Sequence, residues 1–164
     1  MKILIKIFIL GLPFYISCNE KLSVQSEIEN AKSEIRKTDS SFCIRSIEKG
    51  FSYALIEFAD SEVIKLNDGE FPVLGIEKLK SKLAGREKDE SVISWKPLKI
   101  TVSNSCDFGY SFGNWEYKTR TLERDTIYYG NYVTIWKKQM DGSWKYVLDG
   151  GNNTPKPDSI TNHL

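Results

Sequence analysis

Residues 128–151, YYGNYVTIWKKQMDGSWKYVLDGG, constrain the fold more than any other part of the chain. Two aromatic, β-branched runs flank Met140-Asp141-Gly142-Ser143, and Asp-Gly between such runs is a strong short-range hairpin signal. It commits the C-terminal half to antiparallel sheet. Upstream, Leu98, Ile100 and Val102 alternate with Lys99, Thr101 and Ser103, as in a half-buried strand. Phe108, Tyr110 and Phe112 continue that pattern after a turn at Ser105-Cys106-Asp107. The large residues then become Trp115 and Tyr117, at odd positions. This change of phase predicts a β-bulge at Gly113-Asn114. Residues 120–126 are a polar connection, residues 144–149 the last strand, and Thr154-Pro155-Lys156-Pro157 opens a frayed tail.

Helical periodicity dominates the earlier part. Residues 26–49 place Ile28, Ala31, Ile35, Phe42 and Ile47 near helical spacing, with charged residues mostly between them. Gly50 ends that helix and turns a corner. Residues 51–59 make a second helix with Phe51, Ala54, Leu55 and Phe58 inward. Short apolar runs at 63–66 and 71–74 flank Asn67-Asp68-Gly69-Glu70, a small hairpin. A third helix over 76–83 lies between Gly75 and Gly85, and 86–91 is a charged loop. The resulting plan is α+β, with N-terminal helices packed on one face of a curved antiparallel sheet.

Residues 1–18 read as a processing segment. Lys2 supplies a positive start, residues 3–16 are mostly apolar, and the stretch is too short and broken to span a bilayer comfortably. It ends Tyr15-Ile16-Ser17-Cys18. A small residue before Cys resembles the lipobox of bacterial lipoproteins, with Tyr15 where Leu is usual. A lipidated Cys18 is preferred over an ordinary secreted protein, and several acyl chains would anchor it stably. Residues 19–25 are a polar tether, 26–155 the domain, and 156–164 a flexible tail. Asn19 stands where an Asp would suggest inner-membrane retention, which favours the outer membrane. Loss of Lys2 and Lys6 with the leader leaves 21 basic against 22 acidic residues, a balance without the footprint of a nucleic-acid binder. An oxidising compartment permits a disulfide between Cys43 and Cys106, but two free thiols are preferred.

The single histidine, His163, lies near the C-terminus, which removes most routes to His-based acid–base, nucleophilic or metal chemistry. No Cys pair has zinc spacing and no phosphate-cradling glycine loop is present, so no metal or cofactor is expected. The remaining route is a carboxylate in a cavity. Asp149 shares a strand face with Val147, and desolvation would raise its pKa if that face lines a cavity. The preferred alternative is that Asp149 closes the last strand before a turn at Gly150-Gly151. Asp60, Asp68 and Asp39 read as local hydrogen-bonding residues. Tyr53, Trp95, Tyr110, Trp115, Tyr132 and Trp136 are candidate pocket aromatics for a flat apolar ligand, with core packing as the alternative for each. Tyr132 and Trp136 on one face of residues 128–138, with Val133 and Ile135 on the other, require cover on both sides, so a homodimer is expected.

A set of short segments occurs here in a recognisable order. Asp39-Ser40-Ser41-Phe42, Lys49-Gly50-Phe51, Asn67-Asp68-Gly69 and Leu74-Gly75-Ile76-Glu77 come first. Ser94-Trp95-Lys96-Pro97, Phe108-Gly109-Tyr110-Ser111-Phe112-Gly113-Asn114-Trp115, Gly130-Asn131-Tyr132-Val133-Thr134-Ile135-Trp136 and Asp141-Gly142-Ser143-Trp144-Lys145 follow. Over residues 35–155 the chain resembles the nuclear transport factor 2-like (cystatin-like) superfamily, close to its SnoaL-like branch of bacterial domains. The resemblance implies a cone: a strongly bent sheet wrapped over helices with a cavity between, and cones that often pair sheet to sheet. It implies no single activity, since that superfamily holds isomerases, dehydratases, cyclases and non-catalytic binding or dimerising modules. Its ketosteroid isomerases use an Asp base with Tyr and protonated Asp donors, a constellation that does not map onto matching positions here. The expectation is a lipid-anchored cell-envelope protein whose domain binds a small apolar ligand, self-associates, or does both. The alternatives are an isomerase- or dehydratase-type enzyme using a cavity carboxylate, and a protein–protein interaction module.

Overall fold

The computed structural model describes residues 14–86, 90–119 and 126–157, with side chains from Leu22 onward. Residues 1–13 of the expected leader, 87–89 of the charged loop and 120–125 of the polar connection, the Cys18 side chain and residues 158–164 with His163 lie outside the described residues.

Helix α1, Phe14–Lys49, is longer than the sequence pattern predicts. It runs through residues 19–25, expected as a tether, and from Leu22 to Glu27 its side chains are exposed. Side-chain pairs one turn apart, Ser23 to Glu27, Gln25 to Glu29 and Asn30 to Glu34, line this polar stretch. Burial starts at Ala31 and continues through Ile35, Asp39, Phe42, Cys43 and Ser46, a stripe at intervals of three and four. Gly50, at φ 94°, breaks the helix and turns the chain into α2, Phe51–Phe58, because a left-handed residue there carries no Cβ penalty.

Strand β1, Ala59–Lys65, follows directly. It pairs antiparallel with β2, Val73–Leu74, around the predicted turn, then α3, Ile76–Leu83, forms between Gly75 and Gly85. Four long strands complete the chain: β3, Val92–Val102; β4, Phe108–Thr119; β5, Thr126–Lys138; and β6, Trp144–Thr154. At the β5–β6 turn Gly142 has φ 82°, and the Asp141 carboxylate accepts from the Ser143 backbone N–H at 2.9 Å and its hydroxyl at 2.7 Å. The described strands form one six-stranded sheet, ordered β2-β1-β6-β5-β4-β3. It is mixed rather than purely antiparallel, because β1 runs parallel to β6.

Three expectations about the sheet are corrected. The bulge is not at Gly113-Asn114: β4 keeps an unbroken register with β5 from Phe108 to Thr119. The irregularity lies on the facing strand β3, between Pro97 and Lys99, and another lies between β5 and β6 at Ile135/Trp136. Nor does β4 change phase. Its odd positions face the helices throughout, but three of them are small. A Cβ on Gly109 would sit 2.5 Å from Ile35 Cδ1, and one on Gly113 would sit 2.1 Å from the Lys96 carbonyl oxygen and 2.8 Å from Tyr132 Cε1. Small residues occupy the crowded face, so Phe108, Tyr110 and Phe112 project from the other one. Asp149, in turn, does not close β6, which continues through Gly150-Gly151 to Thr154.

The core lies between α1, α2 and the helix-covered face of the sheet. Phe42 is its centre: the ring stacks on Phe58 at 5.1 Å and Tyr146 at 5.7 Å, and meets Trp95 edge-on at 4.7 Å and Trp136 at 6.3 Å. Each fully buried ring of this kind contributes roughly 1.5–3 kcal/mol. Glu34 ties α1 to the final hairpin, accepting from Lys138 Nζ at 2.8 Å and Trp144 Nε1 at 2.9 Å. Along β3, α1 covers the sheet edge: the Trp95 N–H donates to Cys43 Sγ and the Ser46 hydroxyl to the Ile93 carbonyl. Cys43 and Cys106 are free thiols.

Candidate functional site

Phe42 and Phe51 of the helices, the start of β3 and the end of β6 leave a gap between them. The gap is a cavity of about 210 Å³. Its walls are Phe42, Phe51, Ile93, Trp95, Trp115 and Tyr132; Lys65, Thr134 and Asp149 form one end, and Asn67, Asp68, Asn152 and Asn153 line the rim. A wider hollow of about 1130 Å³ adjoins it, sharing Phe51, Ile93, Trp115 and Asn153 and adding Tyr53, Tyr117 and Tyr128. Alternation along β5 and β6 points Tyr132, Thr134 and Asp149 to the same side, since Thr134 and Asp149 are register partners.

Two polar clusters underlie the walls. In the first, Asp39 is fully buried, with 0% exposure. Its carboxylate accepts from Trp95 Nε1 at 2.5 Å and from the Tyr132 hydroxyl at 3.0 Å. Ser111 also hydrogen-bonds to it and accepts from Trp136 Nε1 at 2.9 Å. Burial raises the Asp39 pKa above the ordinary carboxylate range, against the pull of its three donors. Burial and the adjacent Asp39 push the Tyr132 phenol far up, so it holds its proton at any physiological pH. In the second cluster Lys65 Nζ pairs with Asp149 Oδ2 at 2.9 Å and donates to the Leu66 carbonyl at 2.9 Å. Asp149 Oδ1 accepts from the Thr134 hydroxyl at 2.7 Å. Among the described residues no group of three potential metal ligands converges.

No family model matches the chain, and the search of curated proteins finds no match. Solved structures do match. An NTF2-like protein with a cystatin-like fold from Novosphingobium aromaticivorans aligns with 94% of this chain and 99% of its own, at TM-score 0.64 and 13% identity. An NTF2-like superfamily protein from Salmonella enterica covers 80% of this chain and 96% of its own, at TM-score 0.62 and 12% identity. The association domain of CaMKII from C. elegans covers 76% of this chain and 96% of its own, also at TM-score 0.62 and 12% identity. The fold is NTF2-like and cystatin-like.

Within this NTF2-like fold the six aromatics singled out from the sequence separate. Trp95, Trp115 and Tyr132 line the cavity. Tyr53 stands at the adjoining hollow, 54% exposed. Trp136 is buried in the core, bonded to Ser111. Tyr110 projects from the opposite face, beside Val133 and Ile135. Asp149 lies in the cavity, held by Lys65 and Thr134 rather than by a tyrosine.

Sequence reasoning passed over Lys65 and Thr134, and gave Asp39 only a local role. Asp39 reads as a local hydrogen-bonding residue, yet its partners Trp95 and Tyr132 are 56 and 93 positions away. A signal existed: Asp39 falls on the apolar stripe of α1, between Ile35 and Phe42, where an acid must find buried partners. Lys65 carried a similar one, at the inward phase of β1 two residues after the buried Val63.

The helix-free face is apolar at one end. Leu74, Ile64, Leu148, Ile135 and Tyr110 are successive register partners from β2 to β4, with Val133 and Phe112 forming the next row. Leu74 is 51% exposed and Val133 37%.

Proposed function

We propose that this is a lipid-anchored protein of the cell envelope whose single domain binds a small, largely apolar molecule in its cavity without transforming it, and pairs through its sheet with a second copy. The observation that carries the binding role is the open, aromatic-walled cavity whose neighbouring carboxylates are already engaged. A general base must reach the proton it removes. Asp39 lies behind Trp95 and Tyr132 and is bonded by both; Asp149 is paired with Lys65. An isomerase- or dehydratase-type role would require Asp149 to leave Lys65 and Thr134 first. Native mass spectrometry of the protein from its own envelope tests the proposal: a small co-purifying mass on a dimer is expected, and a bare monomer overturns both parts.

The exposed apolar rows of the helix-free face favour self-association specifically, because a contiguous apolar patch on a sheet marks a contact surface. Association and hub domains of CaMKII are among the structural neighbours. Val133→Asp places a charge in the middle of the patch and is expected to convert dimer to folded monomer in sedimentation velocity. Wild-type protein that sediments as a monomer removes this part.

For the anchor, Cys18 is the proposed lipidation site and the outer membrane the favoured location. Among the described residues no helix is long and apolar enough to cross a membrane. Cys18→Ala is expected to move the protein from the membrane fraction to the soluble one; retention in membranes counts against lipidation.

A further inference from the structure

The Lys65–Asp149 pair is more than the domain needs for stability. Both side chains are largely buried, at 11% and 10% exposure. Desolvating two charges cancels much of their attraction, and apolar residues of similar volume commonly do as well or better. The pair nevertheless sits at the end of the cavity rather than in the packed core. An ammonium has three N–H donors, and two are used, on Asp149 and the Leu66 carbonyl. A carboxylate offers about four acceptor sites. Lys65 and Thr134 take one each. Among the described residues the cavity end therefore presents one unused donor beside unused acceptor positions.

Charge and size narrow what fits there. Lys65 is the only cation among the described lining residues, and Asp149 balances it. The remaining acid at the cavity, Asp68 on the rim, repels an anion. A cation would have to lie against the Lys65 ammonium. A neutral head meets neither penalty. A volume of about 210 Å³ exceeds the ~150 Å³ of an apolar cavity known to hold benzene, leaving room for one ring and a small substituent. The ring would lie among Phe42, Phe51, Trp95 and Trp115.

We propose that the cavity selects a neutral, single-ring molecule with one polar head that both donates and accepts hydrogen bonds, such as a carboxamide or a phenolic hydroxyl, seated between Lys65 and Asp149. This deepens the binding role proposed above and rests on it. Titration of the full-length protein with benzamide, benzoate and toluene, followed by tryptophan fluorescence and calorimetry, tests it. Benzamide is expected to bind about 10- to 100-fold more tightly than either of the others, the range of a hydrogen bond to a charged group. The double variant Lys65→Met/Asp149→Leu keeps an apolar end of similar volume and is expected to lose that preference while still taking toluene. Toluene binding as tightly as benzamide to the wild type, or benzoate binding more tightly, overturns the proposed head group and leaves the cavity role standing. Failure of all three probes to bind overturns both. The ranking of probes on the wild type decides the matter even where the double variant fails to fold.

Discussion

Gly130→Ala is expected to lower the stability of the domain by about 3 kcal/mol, the upper range for overpacking a well-filled site. The backbone conformation is not the reason. Gly130 lies opposite Trp115 in the β4–β5 register, and the indole passes directly over it. A Cβ there would sit 2.1 Å from Trp115 Cε2 and Cζ2 and 2.2 Å from the Asn152 carbonyl oxygen. A flexible side chain would swing aside at small cost. This one is pinned: Trp115 Nε1 donates to the Asn131 carbonyl at 3.1 Å. The Asn152 oxygen belongs to the backbone of β6 and moves only with that strand. Either the indole breaks its bond and leaves the cavity wall, or β5 and β6 separate locally. Urea denaturation measures the loss, and tryptophan emission of the folded variant reports whether Trp115 has moved. A variant as stable as the wild type would show that the close approach of Trp115 to β5 is not present.

Trp115 also shows where sequence patterning stops being informative. The β5–β6 hairpin was legible because its signal is local: Asp-Gly at a turn that needs positive φ, between runs that suit a pleated surface. The three helix boundaries at Gly50, Gly75 and Gly85 were legible for the same reason, since each has a left-handed backbone that glycine adopts freely. The facing of β4 was not legible from hydrophobic size. Helix α1 and the Lys96 backbone crowd its inner face so closely that glycine and serine are the residues that fit, and the bulky ones turn outward. The parallel pairing of β1 with β6 joins segments distant in sequence, Lys65 with Asp149 among them, and leaves no local trace. The candidate site divides along the same line. Trp95, Trp115 and Tyr132 stood out by residue type and strand position. Asp39 and Lys65 are recognisable only by the cost of burying a charge at an apolar phase, and their partners are distant in sequence.

Asp39→Ala is expected to cost about 4 kcal/mol, because three buried donors lose their acceptor at roughly 1–3 kcal/mol each, with partial relaxation. Trp95 Nε1 and the Tyr132 hydroxyl are bonded to opposite oxygens of this carboxylate, and Ser111 is the third. Asp39→Asn keeps the shape and one acceptor oxygen but turns an amide N–H₂ toward a donor, and is expected to cost about 2 kcal/mol. Its dependence on pH is the more specific test. Burial, the dominant influence, raises the folded-state pKa above the ordinary carboxylate value of 3.8. The folded protein therefore holds this proton more tightly than the unfolded chain. The associated stability is fully present below the unfolded value and falls as pH rises from there through the folded value. An asparagine does not titrate, so the stability gap between wild type and Asp39→Asn should shrink in urea titrations as pH rises above the unfolded carboxylate value of 3.8. A gap that widens instead would mean that the three donors outweigh burial and hold an anion. Trp95 and Tyr132 are both cavity walls and both anchored on Asp39, so the same substitutions should loosen the cavity. A buried acid that never touches a ligand then sets the shape of the surface that does.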